Sequence, residues 1–114
     1  MPIEYEDTND TLRTVRISGR LDLVGTDEIA TKFAALATVH DRRVIVDLVG
    51  VSFLASIGIR SIITNAKALQ QRGGRMVLFV GDNQAVAKTL ETTGIDSLIP
   101  LFSDLAAAEK AVVA

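Results

Sequence analysis

Cysteine and tryptophan are absent from this sequence, and histidine occurs once. Without thiols there is neither a disulfide framework nor a thiolate metal site. Aromatic residues make up 4% of the chain, too few to interleave with basic residues and stack nucleic-acid bases. Charge of one sign is also missing: 12 Lys and Arg stand against 14 Asp and Glu, dispersed along the chain. A broad basic footprint for direct contact with nucleic acid is thereby excluded. No apolar stretch approaches the roughly 20 residues needed to span a bilayer, so membrane insertion is not expected. The opening Met-Pro-Ile-Glu-Tyr-Glu-Asp lacks the basic and apolar regions of a secretory signal, and a cytoplasmic location is expected.

What is present suits one packed domain. Apolar residues form 48% of the 114 positions and charged residues 23%, with only two prolines, and a single domain spanning 1–114 is expected. Ile3 to Glu6 and Leu12 to Ile17 flank a turn-rich Asp-Thr-Asn-Asp and read as a β-hairpin, with Gly19 ending its second strand. A helix from Thr26 to about Val39 carries Ile29, Phe33 and Leu36 on one face, with Asp27 and Glu28 in its first turn. Arg43 to Leu48 is a short β-branched run suited to a central strand covered on both faces. From Ser56 to Arg72 the residues Ile59, Ile62, Ile63, Ala66 and Leu69 recur at helical spacing, and Gly73-Gly74 supplies the stop.

Met76 to Val80 reads as a further buried strand and Asn83 to Thr93 as a short helix. A last strand is expected around Leu98-Ile99, before Pro100, and a last helix capped by Ser103 with Leu105, Ala108 and Val112 inward. The order predicts an α/β fold: a mostly parallel central sheet, an N-terminal antiparallel hairpin and about four helices. In such sheets the loops after the parallel strands gather at one edge, where ligands and partners dock. Asp22, Ser56 and the Gly81-Asp82-Asn83 turn are expected to share that surface.

Two roles are open to Ser56 at the entry to the longest helix. Its hydroxyl can cap the helix, or it can receive a phosphate, whose charge the free N–H groups of a helix start tolerate. Gly73-Gly74 follows a helix, the reverse of a nucleotide-binding loop. His40, followed by Asp41-Arg42-Arg43, reads as a solvated connector. Asp22 and Asp47 sit near strand ends with no third ligand type beside them, so no metal or other cofactor is expected. No nucleophile, base and orienting group assemble at a recognisable spacing, and no enzymatic activity is expected. The pairs Arg42-Arg43 and Arg72 with Arg75 read as solvated surface.

The stretch from Val44 to Ile59, with Val51-Ser52-Phe53 and Ala55-Ser56-Ile57-Gly58, resembles the signature of STAS domains, a family that includes bacterial anti-sigma factor antagonists. Gly19-Arg20-Leu21-Asp22, Arg72-Gly73-Gly74-Arg75 and Thr93-Gly94-Ile95 are similar to further family stretches in the same order. The resemblance implies a STAS fold and a phosphorylation site at Ser56. It implies partner-binding positions at Asp22, Ala55, Ser56, Ile57, Gly58, Arg60 and Asp82. It also implies partner switching: the unphosphorylated protein binds an anti-sigma factor that is a serine kinase of the histidine-kinase-like ATPase superfamily, regulating transcription. Phosphorylation releases this partner, and a metal-dependent Ser/Thr phosphatase restores binding. Ala55 stands where the family has Asp, and Ile57 where it has Ser or Thr. These departures suit the alternative of a non-phosphorylated interaction module in a transporter or signalling complex.

Overall fold

The β-branched run that begins at Arg43 places side chains alternately on the two faces of a strand, and both faces are covered: Val44, Ile45 and Val46 are fully buried. A computed structural model describes residues 2–114. Its elements are β1 (Ile3–Asp7), β2 (Leu12–Leu21), α1 (Leu23–Ala37), β3 (Arg43–Leu54), α2 (Ser56–Gln71), β4 (Arg75–Phe79), α3 (Gln84–Thr93), β5 (Leu101–Phe102) and α4 (Leu105–Val113). The sheet order is β1-β2-β3-β4-β5, with β1 antiparallel to β2 and every other pair parallel. The mixed sheet, hairpin and four helices agree with the fold expected from the sequence. Helices α1, α2 and α3 cover one face through Phe33, Ile62, Leu69 and Leu90. Helix α4 covers the other, where Ala108 and Val112 meet Leu12, Ile45 and Val77. No helix among the described residues is long and apolar enough to cross a membrane.

Several boundaries differ from the sequence-based expectation. Gly19 does not end β2: it takes a φ of 86°, open to glycine at little cost, and the register shifts there while pairing continues to Leu21. Strand β3 likewise runs past Leu48 to Leu54, because the longer β2 pairs with it. Helix α1 starts at Leu23, since Asp22 provides the cap, and Asp27 and Glu28 therefore lie beyond its first turn. The last strand follows Pro100 instead of preceding it. Proline has no N–H to donate, so the β4–β5 ladder begins only at Leu78–Leu101. Asp104, not Ser103, caps α4, its carboxylate accepting from the Ala107 N–H at 3.2 Å. Leu105, in the first turn, is 42% exposed and points away from the core.

Arg72 and Arg75, together with Arg13, have specific work at helix ends, where the last carbonyls lack intrahelical partners. Arg13 donates to the Leu36 carbonyl at 3.1 Å and Arg72 to that of Thr38 at 3.2 Å, closing α1. Arg75 donates to the carbonyls of Ala111 and Ala114, closing α4. The Asp7 carboxylate holds Arg13 from the other side, at 2.7 and 3.1 Å. The Arg13 hydrogen bonds keep the Asp7 carboxyl below its ordinary value of 3.8. Its contribution to stability is therefore complete above that pH and is lost as acid titrates it through the lowered folded-state value. Asp7→Asn is expected to show a smaller fall in urea midpoint between pH 5 and pH 3 than the parent; an equal fall would remove Asp7 from the acid response.

Candidate functional site

Two strands outrun the rest of the sheet. β4 pairs with β3 only as far as Phe79 opposite Asp47, whereas β2 and β3 continue together to Leu21 and Leu54. Each then turns into a helix within one residue, Asp22 leading to α1 and Ala55 to α2. The Ala55 N–H donates to the Leu21 carbonyl at 3.0 Å, which sets the two helix starts side by side. Glycines permit the close approach. A Cβ on Gly58 would lie 2.9 Å from the Leu21 Cβ and 3.0 Å from the Leu54 Cδ1, and one on Gly25 would overlap the Arg20 carbonyl oxygen.

Ser56 lies at this paired start and is exposed. It is the first helical residue and not the cap. Ala55 is the cap, extended at φ −89° and ψ 167°, and its carbonyl accepts from the N–H groups of Gly58 and Ile59 at 3.0 and 3.2 Å. An alanine has no side-chain acceptor, so the start of α2 is uncapped and its first N–H groups remain available to an anion. The capping role open to Ser56 in the sequence is therefore excluded, one residue of displacement being enough to turn the hydroxyl from cap to surface group.

Both carboxylate oxygens of Asp22 are engaged. One carboxylate oxygen accepts from the Gly25 N–H at 2.9 Å and the other from Arg20 Nε at 3.2 Å. These bonds, the Gly25 N–H first, hold its carboxyl below the ordinary carboxylate value. Asp47 accepts from the Val49 N–H at 2.9 Å and pairs with Arg16 at 3.6 Å, on a different part of β3. Both aspartates thus terminate or brace local backbone. His40 forms an exposed pair with Asp41 at 2.9 Å.

Around Ser56 lies a rim that the sequence did not single out. The Arg20 guanidinium stacks on Phe53, 4.5 Å from the ring centroid, while also holding Asp22. Phe53 is 43% exposed, Leu23 69% and Val24 73%, a concentration of apolar surface at one end of the fold. The signal for Leu23 and Val24 was Asp22 itself, an N-cap residue directly before them. Between α1 and α2 runs a groove of about 390 Å³ lined by Leu23, Thr26, Ile57, Arg60 and Asn65. Ile57 is half-buried, Gly58 buried beneath it and Arg60 exposed, one helical turn from Ser56.

Asp82 is exposed but sits lower on the sheet. Asn83 ties its turn to the middle of β3: the Asn83 amide donates to the carbonyls of Leu48, Val49 and Val51 at 3.2, 3.1 and 2.8 Å. Leu54 lies three residue steps beyond Val51, roughly 10 Å along a strand. The structure brings together Asp22, Ala55, Ser56, Ile57, Gly58 and Arg60, and sets Asp82 to one side. Asn83 also caps α3, accepting from the Val86 N–H at 3.3 Å. Asn83→Ala removes the cap and the carbonyls' donor together, and a loss of about 1–3 kcal/mol is expected in urea unfolding. An unchanged midpoint would mean that water replaces the amide at no cost.

A protein-family model described as the STAS domain matches residues 3–108. Comparison with curated proteins returns no match. Among solved structures, an anti-sigma factor antagonist from Mycobacterium paratuberculosis is similar at TM-score 0.85 and 24% identity, over 98% of this chain and 93% of that one. An anti-sigma-factor antagonist (STAS) domain protein from Planctomyces limnophilus is similar at 0.81 and 23%, over 98% of each chain. The Bacillus cell fate determinant SpoIIAA in its phosphorylated form is similar at 0.67 and 17%, over 96% of this chain and 98% of that one. At these identities the structural likeness speaks to the fold.

Proposed function

The chain belongs to the STAS domain family, and on that premise we propose that it is an anti-sigma factor antagonist acting by partner switching. The observation that carries this reading is the exposed hydroxyl of Ser56 at an uncapped helix start, beside Asp22 and within an apolar rim. In the unphosphorylated state this surface binds an anti-sigma factor that is also a serine kinase of the histidine-kinase-like ATPase superfamily. Leu23, Val24, Phe53 and Ile57 supply apolar contact area, and Asp22 and Arg60 supply charge at its edges.

Phosphate on Ser56 would add a charge of about −1.5 to −2 where the free N–H groups of α2 tolerate it. Arg60, four residues on, is placed to pair with it. The fold then survives modification while the docking surface acquires a hydrated charge that a close-fitting partner must strip of water. Release follows, and a metal-dependent Ser/Thr phosphatase restores the binding state. The protein itself acts by binding, in the cytoplasm where such partners work, and no reaction is assigned to its residues. The names of the structural neighbours, two anti-sigma factor antagonists and a phosphorylated SpoIIAA, support this reading.

Ala55 and Ile57 favour a second reading. Ala55 offers no acceptor to orient the serine hydroxyl, and Ile57 lines the α1–α2 groove. Both suit a constitutive module in a transporter or signalling complex. Affinity capture followed by incubation with ATP separates the two. Recovery of a serine kinase, with phosphate mapped to Ser56 by mass spectrometry, is the expected outcome; recovery of a transporter ATPase with no phosphate on the chain would establish the second reading.

A further inference from the structure

A second cavity, of about 450 Å³, opens at the other end of α2 and the far edge of the sheet. Its volume falls within the range of small-molecule sites, roughly 300–1,000 Å³. Ile63, Ala66, Met76, Ile99 and Phe102 furnish apolar walls, and Lys67, Gln70 and Arg75 line it as well. No acidic side chain lines it. Lys67 forms no ion pair among the described residues. Arg75 contacts the Ala111 and Ala114 carbonyls through Nη1 alone, leaving Nε and Nη2 outside those bonds.

The edge of the sheet is also open here, for a reason written in the chain. β5 pairs with β4 only at Leu78 and Phe79. The Leu78 N–H donates to the Pro100 carbonyl, so the next donor toward the Met76 carbonyl would be the nitrogen of Pro100, which carries no hydrogen. The outer edge of Arg75–Val77 is thus left without a strand, beside the cavity. Three residues are too short a template for an added peptide strand, which runs about five or six residues. Apolar walls, two cations and no acidic side chain match a compact molecule with an anionic head and an apolar body.

We infer that this cavity is a binding site for a free medium-chain fatty acid, the carboxylate held by Lys67 and Arg75 and the chain lying against Ile63, Ala66, Met76 and Ile99. The inference stands apart from the role of Ser56, because the site lies at the opposite end of α2 and uses none of the docking residues.

The test is an NMR titration of the whole protein with decanoate below its micelle concentration, with decanol and decyltrimethylammonium as controls. Saturable shifts at Ile63, Ala66, Met76 and Ile99 are expected with decanoate, weaker ones with decanol and none with the cation. Lys67→Glu is expected to weaken decanoate about fivefold and leave decanol unchanged, because it removes one partly screened attraction and puts a like charge in its place. Ala66→Trp, which fills the cavity, should abolish both while the amide resonances around Ser56 stay in place, reporting an intact fold. Equal binding of all three amphiphiles, shifts that do not saturate or lie elsewhere, or an unaffected Lys67→Glu would each overturn the inference. So would co-sedimentation with phosphatidylglycerol vesicles in the absence of decanoate binding, which would make the surface a membrane contact.

Discussion

Gly25→Ala is expected to lower the stability of the fold by about 2 kcal/mol or more, although helix propensity alone predicts a gain of about 1 kcal/mol. Gly25 is the third residue of α1 and donates its N–H to Asp22. An added Cβ would overlap the carbonyl oxygen of Arg20. Backbone cannot yield as a long side chain would. Arg20 and Leu21 are paired with Phe53 and Leu54, and the Leu21 carbonyl holds the Ala55 N–H. Relief requires moving the start of α1 off the sheet, which breaks the Asp22 cap and separates the two helix starts. Urea unfolding decides between the two signs: a variant as stable as the parent, or more so, would show that α1 is not seated on the β2 end as described.

Ser56→Glu is expected to weaken partner binding by at least about a hundredfold while leaving the fold as stable as before or slightly more stable. The two effects have different origins. A carboxylate in the first turn of α2 faces uncapped N–H groups and the positive end of the helix dipole, an interaction of about 0.3–1 kcal/mol in favour of the folded state. The same charge, enclosed by a partner without a matching cation, carries an uncompensated burial cost of about 3–5 kcal/mol. That cost exceeds the hundredfold threshold, about 2.7 kcal/mol. Ser56→Ala keeps the surface neutral and is expected to retain affinity within a few-fold. Calorimetric titration with the captured partner, alongside thermal unfolding of each variant, separates loss of docking from loss of fold. If Ser56→Glu binds as well as the parent, this hydroxyl is not at the interface.

The core elements were legible because their burial is periodic. Ile59, Ile62, Ala66 and Leu69 return to one side of α2, and Val44-Ile-Val is buried on both faces of β3. The ends of β2 and β3 were not, since Ser18-Gly-Arg and Ser52-Phe are exposed and carry no alternation for a reader to follow. Those residues form a ribbon only because each strand pairs with the other beyond the edge of β4. The consequence reached the site. With β3 ended at Leu48, the Gly81-Asp82-Asn83 turn was expected beside Ser56, whereas six further residues carry the start of α2 past it. Ser56 itself stood out by its place at the entry to the longest helix, but only the STAS resemblance chose between its two roles, because spacing alone could not separate a surface hydroxyl from a cap. Phe53 and Arg20 were met only as members of resembling stretches, not as site residues, for a physical reason: their contact is made across strands at a register that the two shifts along β2, after Arg16 and after Gly19, create.

One comparison bears on the central claim more directly than any substitution. The captured partner is titrated against the protein carrying no phosphate and against the same protein phosphorylated stoichiometrically on Ser56. Affinity is expected to fall by two orders of magnitude or more on phosphorylation and to return after phosphatase treatment. Equal affinity in the two states would contradict the switch, and would leave a STAS domain that docks through this surface without being turned off there.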